Sequence, residues 1–374
     1  MVTLDKIPGQ RLASRSLINS FNMDRMASAY LFYGAEGRGK WTAAIGLAAL
    51  VNCEKPLRNE AGRIIDSCGE CRNCRQIGKL IFPDLYFALP LTPYKKEEEF
   101  RTLHSEYIER KREEPYRIIT SARQQTISVE SAYDIRRKIS MKPSSGVKRV
   151  VLFYQMEKML TASADALLKM IEEPPPETII IMTAVDPGAL LPTIRSRAQQ
   201  VRFLPLSEEE IVQYLSDKYQ IGREKASFAA HLAEGSLGQA LSFVEEEEDS
   251  SHRQMAFLLF KNILIRDAPS IVAAISELVN PNDRGESEQI IRHWQSFLSD
   301  IIRIKHGEKL TALVNLDLSK ELEALTPRIN SSREFGDILE DLKKTNIALR
   351  RNIHIRVGMA ALALKLRDDS NQTP

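Results

Sequence analysis

The fold class predicted for this chain is an α/β domain on a parallel sheet, continued by helices to the C-terminus. Three observations predict it. Short β-branched runs alternate with helical patterns through the first half. One such run feeds a Gly-rich turn that opens a helix. From Ser207 onward, apolar residues fall at three- and four-residue spacing, the signature of helices packed on one face.

The elements follow in order. AYLFYG (Ala29–Gly34) is a buried strand entering the Gly-rich turn, and Lys40 to Val51 is the helix after it. That helix would pack through Ala43, Ala44, Leu47, Ala48 and Leu50. RVVLFY (Arg149–Tyr154) and TIIIMTAV (Thr178–Val185) are β-branched strands bounded by turn residues, and VRFLPL (Val201–Leu206) is a short final strand. Between them, residues 90–125 contain KKEEEF and ERKREEP. With little periodicity and no evident core, this stretch reads as a solvated surface insertion, part of it helical.

Beyond the sheet, SEEEIVQYLSDKY opens with a capping box, Ser207 with Glu210 three positions later. EGSLGQALSFV (Glu234–Val244) is a Gly-containing turn and a helix. EEEEDSSH (Glu245–His252) is an acidic linker, and Arg253 to the end is helical, with the tail DDSNQTP expected to fray. The division expected is a core over 1–205, a small helical lid over 206–248 and a helical domain over 252–368.

At 374 residues the chain is long enough for two or three domains. A formal net charge of +2 implies no strong field for a polyanion or a membrane surface. No apolar run approaches the ~20 residues of a membrane span, and MVTLDKIPGQ lacks the regions of a secretory signal, so a cytoplasmic protein is expected.

The stretch GAEGRGKWT (Gly34–Thr42) carries the central question. Gly34, Gly37 and Gly39 allow a tight backbone whose N–H groups cradle phosphates, and Lys40 would reach the outer phosphates. The alternative is a strand–turn–helix corner with no ligand. Trp41 stands where a working NTPase has the hydroxyl that binds Mg²⁺. Thr42, one residue on, points about 100° round the helix. The strand VVLFY should likewise end in an acidic pair, for Mg²⁺ and for water. It runs instead into Gln155 and Met156, and Glu157 is offset by one residue onto the other face. Two independent losses argue against hydrolysis in this chain: no Mg²⁺ site is expected, and nucleotide binding is left open.

Cys68, Cys71 and Cys74 form C-x-x-C-x-x-C, and Cys53 lies just after the first helix of the sheet domain. Four thiolates close a tetrahedral site with no position left for water, which suits a structural zinc and not a catalytic one. Arg63, Arg72, Arg75 and Lys79 around it are either solvated or a contact surface. ALLKMIEEPPPET (Ala166–Thr178) is a helix halted by prolines, with Glu172 and Glu173 at the end that disfavours negative charge. That pair is either a solvated end or part of an interface. PTIRSRAQQVRF (Pro192–Phe203) places Arg195 and Arg197 before the last strand, as solvated arginines or as a reach toward a neighbour's phosphate.

In order, SAYLFYGAEGRGK, SCGECRNC, ALLKMIEEPP, the Asp186–Pro187 pair, TIRSRA and EGSLGQAL make the chain resemble bacterial clamp-loader subunits of the AAA+ class. The resemblance covers about residues 5 to 250 and extends loosely to LRRNIHIRVGMAALAL, which looks like the end of that family's oligomerisation collar. It implies an AAA+ core with a Cys₄ zinc module over 53–74, a lid and a collar. The family's gamma/tau motors keep the loop hydroxyl, the acidic pair and a lid arginine; here those places hold Trp41, Gln155 with Met156, and Gly238. The resemblance therefore implies a non-hydrolysing stator subunit of the DNA polymerase III holoenzyme. It also implies that Arg197, in a stretch matching the family's SRC motif with Ala198 for its cysteine, is an arginine finger acting in trans. The implied partners are gamma/tau and delta subunits, the sliding clamp and primed DNA. The alternatives are a gamma/tau-type ATPase with a degenerate loop, a zinc-containing DNA-binding module on an AAA+ scaffold, or an AAA+ paralogue outside replication.

Overall fold

A computed structural model of the chain describes residues 3–121, 123–139, 148–159, 170–246, 250–281, 283–307, 313, 315–329, 335–350 and 354–371. It divides into two compact units. The first comprises 1–119 and 124–242 and holds the sheet domain and the helices that follow it as far as Ser242; the second comprises 120–123 and 243–374.

The first unit begins with α1 (Arg11–Asn22), β1 (Ala29–Tyr33) and α2 (Lys40–Val51). A two-stranded hairpin of β2 (Leu57–Arg58) and β3 (Ile64–Asp66) precedes α3 (Arg72–Gly78) and β4 (Leu85–Ala88). Next come α4 (Glu97–Glu113), α5 (Val129–Ile139), β5 (Arg149–Phe153), β6 (Thr178–Ala184) and β7 (Gln199–Arg202). The five-stranded sheet has the order β4-β5-β6-β1-β7, and every pairing in it is parallel. Both faces are covered, which is why β1, β5 and β6 are almost uninterrupted apolar runs instead of alternating ones. Tyr30, Phe32, Leu152 and Ile181 enter one core layer; Leu31, Val151, Phe153 and Ile180 enter the other.

Several expectations need correction. The helix after the turn is buried on all sides from Lys40 to Leu50, and not only on its alanine and leucine face. The last strand starts two residues earlier than the apolar run suggested, at Gln199. The stretch 90–125 is no solvated insertion: α4 and the turn after it bury Tyr107, Lys111, Glu114, Tyr116 and Ile119. Strand β4 and the β2–β3 hairpin were not anticipated. Of ALLKMIEEPPPET, only Met170 onward lies within the described residues, with Glu172 the last helical residue.

The lid helices are Glu208–Tyr219, Arg223–Leu232 and Leu237–Glu246. Ser207 and Glu210 close the expected capping box, the Ser207 side chain accepting from the Glu210 backbone N–H. The acidic stretch is helical up to Glu246 and again from Ser250; residues 247–249 lie outside the described residues.

The second unit is helical. Ser250–Ile265, Arg284–Lys305 and Ile355–Asn371 share a core around Trp294, whose indole N–H donates to the Ala256 carbonyl at 3.0 Å. Its last helix runs to Asn371, and the end of the tail expected to fray, residues 372–374, lies outside the described residues. Among the described residues no helix is long and apolar enough to cross a membrane.

Candidate functional site

The loop Gly34–Lys40 follows the C-terminal end of β1, the end at which open parallel sheets bind ligands. Gly39, at φ 93°, makes the left-handed corner that starts α2. Lys40 is buried, and its ammonium donates to the carbonyls of Gly34 and, at 2.8 Å, of Ala35. Burial pushes its pKa down to about 8, with the Glu36 and Glu157 carboxylates opposing the fall. The phosphate-reaching cation is therefore turned back onto its own loop.

The residue after Lys40 is packed in aromatic rings. The Glu36 and Glu157 carboxylates lie within electrostatic reach of Lys40, so Glu157 faces the loop and not away from it as its offset suggested. Trp41, 2% exposed, stacks on Phe87 with ring centroids 5.3 Å apart and meets Tyr154 edge-on at 5.2 Å. Gln155 donates its side-chain amide to Glu36, and Met156 is core. Glu157 accepts the Val185 backbone N–H at 3.1 Å, and burial raises its carboxyl above the usual range. It caps the exit of β6.

The cleft that a nucleotide would use is filled from two sides. From the lid, Gly238 N–H donates to the Gly37 carbonyl at 3.1 Å, and the Ser236 hydroxyl donates to the Glu36 carbonyl at 2.6 Å. A Cβ on Gly238 would lie 2.4 Å from the Tyr116 carbonyl oxygen and 2.8 Å from the Gly37 Cα. Only a glycine at this position permits the two backbones to approach so closely.

From the other side comes the segment after α4. Lys111, 2% exposed, places its ammonium 5.6 Å from the Trp41 ring centroid and 4.9 Å from that of Tyr154. It donates to the Arg117 carbonyl at 2.6 Å and to the Tyr154 hydroxyl at 3.3 Å. Burial holds its pKa down to about 7, opposed by Glu36 and Glu114. Tyr116 packs against the Gly39 corner and edge-on to Tyr214 of the lid. Glu114 accepts from Lys218 and Tyr219, so a carboxylate of this segment grips the first lid helix. Sequence reasoning missed Lys111, Glu114 and Tyr116. The available signal was the spacing of Phe100, Leu103, Tyr107 and Lys111, which recur three and four apart on a single face of α4.

Arg197 lies at the opposite end of the sheet. β7 runs parallel to β1, with Tyr30 beside Gln199 and Tyr33 beside Arg202. Gly34 follows one end of this pair and Arg197 precedes the other, about one strand length of ~17 Å away. The arginine is far from its own loop. Its guanidinium donates to the Thr193 carbonyl at 3.1 Å and pairs with Glu172 at 3.0 Å, the two side chains 40% and 43% exposed. Arg195 is part-buried at the end of the short helix Pro192–Arg195.

The cysteines form a separate centre. The sulfurs of Cys53, Cys68, Cys71 and Cys74 all lie within 4.8 Å of one another, with 3.5 Å between Cys53 and Cys68 and 3.9 Å between Cys68 and Cys74. Thiolates ~2.3 Å from a tetrahedral zinc stand ~3.8 Å apart, so this set fits the ion. The backbone N–H groups of Cys68, Cys71 and Cys74 donate to the sulfurs of Cys53, Cys68 and Cys71, which orients the three side chains.

Strand order, Gly-rich loop and the helices after the sheet together define a P-loop protein of the AAA+ type. The family described as DNA polymerase III, delta subunit, matches residues 9–207, more than half of the chain, and the chain belongs to that family. It is 24% identical to the DNA polymerase III subunit delta' of Escherichia coli over 327 residues, 87% of this chain and 84% of that protein. It is 26% identical to the subunit tau of the same organism over 341 residues, also 87% of this chain, but spans 47% of the tau subunit's length. A solved gamma subunit-related protein from Thermotoga maritima is 13% identical, with a TM-score of 0.41 over 95% of this chain and all of that one.

Proposed function

We propose that this chain is the stationary, delta-prime-type subunit of a bacterial DNA polymerase III clamp loader. In the assembled ring it sits beside a gamma/tau motor and, with the delta subunit, helps to open a sliding clamp and place it on primed DNA in the cytoplasm. The observation that carries this reading is the state of its own loop. Trp41, Gln155 and Met156 stand where oxygen ligands for Mg²⁺ belong, and Lys111, Tyr116 and Gly238 take up the cleft. Gly34, Gly37, Gly39 and Lys40 then keep the shape of a nucleotide loop without its chemistry.

Similarity alone does not separate this role from a gamma/tau-type ATPase, because relatives of both kinds match to the same degree. Trp41, packed between Phe87 and Tyr154 in place of the loop hydroxyl, weighs against the motor. Arg197 supports the stator: a half-exposed cation at the sheet end remote from its own loop suits a phosphate on another chain. As an arginine finger it would stabilise charge developing on the γ-phosphate of ATP bound next door. Cys53, Cys68, Cys71 and Cys74 would hold a structural zinc, which shapes the excursion between α2 and α3 and takes no part in the chemistry.

Reconstitution with gamma/tau and delta subunits tests the reading. Arg197→Ala should lower turnover at the site it serves by about a thousandfold, with an unchanged melting curve. Hydrolysis by this chain alone, abolished by Lys40→Ala, would instead establish the motor.

A further inference from the structure

We propose that Glu172 is the positioning residue for Arg197, an inference that rests on the finger reading above. A finger acts by presenting its guanidinium in a set direction before the phosphate arrives, since ordering a long side chain during the reaction costs catalytic power. Arg197 has two anchors from two elements. The Thr193 carbonyl holds one terminal nitrogen at 3.1 Å and Glu172 holds the other at 3.0 Å. Both partners stand at the N-terminal edge of the sheet: Glu172 ends the helix ahead of β6, and Arg197 precedes β7.

The location of Glu172 points the same way. A carboxylate at a helix C-terminus meets the negative end of the helix dipole and is disfavoured there unless a cation compensates it. Arg197 is that cation. After Glu173, Pro174, Pro175 and Pro176 restrict the backbone that leaves the helix. The two bonds use only part of the guanidinium's donor set. With both side chains a little under half exposed, the remaining donors are open to an incoming phosphate oxygen.

Turnover of the reconstituted loader is the readout, with Glu172→Ala, Glu172→Asp, Arg197→Ala and the double variant of Arg197 and Glu172. Glu172→Ala should lower kcat about fivefold, the scale of one half-exposed ion pair, with KM and the melting curve unchanged. Glu172→Asp should recover part of the loss. In the Arg197→Ala background the same change should cost less than about twofold, because no guanidinium is left to orient. Full turnover in Glu172→Ala, or an equal loss with and without Arg197, would overturn the positioning role while leaving the finger intact. Turnover unmoved by Arg197→Ala would remove the finger itself, and this role of Glu172 with it.

Discussion

The two ends of the sheet carry opposite solutions. At the C-terminal end, loop, lid and the α4 segment satisfy one another: Lys40 bonds its own loop, Gly37 bonds Gly238, and Lys111 lies over Trp41 and Tyr154. At the N-terminal end, Arg197 stays half exposed on two anchors. Burial explains the contrast. A nucleotide site needs a cleft that water and ligand can enter, and here apolar rings and backbone contacts have taken its volume. A group that acts on another chain needs the reverse, a charge kept accessible and oriented. The difference teaches that one sheet can bury the charged groups at one edge in contacts of its own while leaving a cation accessible at the other.

Removing the metal should have the largest effect and sharpens the comparison, because Cys53 continues from α2, the helix that the loop opens. Structural zinc contributes on the order of 10 kcal/mol where it organises a small module. Cys74→Ser or chelation should release about one zinc per chain by elemental analysis. Hydrogen exchange should then rise over residues 53–79 while 193–202 keep their protection. Next in size is the loss of turnover in Arg197→Ala described above, about a thousandfold, which strikes only the open end.

Gly238→Ala probes the closed end. Its Cβ would press on the Tyr116 carbonyl and the Gly37 backbone, so urea denaturation should show a loss of roughly 1–3 kcal/mol from overpacking. Wild-type stability in that variant would mean that the lid does not seat on the loop.

The smallest effect is a pH slope. Folded Lys111 gives up its proton near pH 7, whereas in the unfolded chain it titrates in the usual lysine range. Between these values the unfolded state binds more protons, so stability should rise with pH, by at most ~1.4 kcal/mol per unit. Lys111→Met should flatten the rise between about pH 7 and about pH 8 in urea titrations. Lys40, held down to about 8, should sustain a rise above that.

Local chemistry at fixed spacing was legible in the sequence. The phosphate-loop pattern counts residues, so Trp41 in the hydroxyl position and Gln155 at the strand's end are visible without coordinates. The cysteine spacing is a pattern of the same kind, and so is the capping box at Ser207. The role of 90–125 was not legible. α4 turns Phe100, Leu103, Tyr107, Ile108 and Lys111 toward the core, but these are spread through a run dominated by charge, and a lysine is among the residues least expected inside a protein. Strand β4, LYFA, is four residues long and carries too little periodicity to stand out. The Glu172–Arg197 pair joins residues on separate connections, and no periodicity links them.

Residue identity alone therefore determined that an indole, and not a hydroxyl, follows Lys40, since a side chain's donor atoms do not depend on where it folds. Which groups fill the cleft, and what holds the arginine at the far edge, only the tertiary structure decided. Those outcomes are contacts between segments distant along the chain, set by burial and closure of the packed whole and not by any local preference.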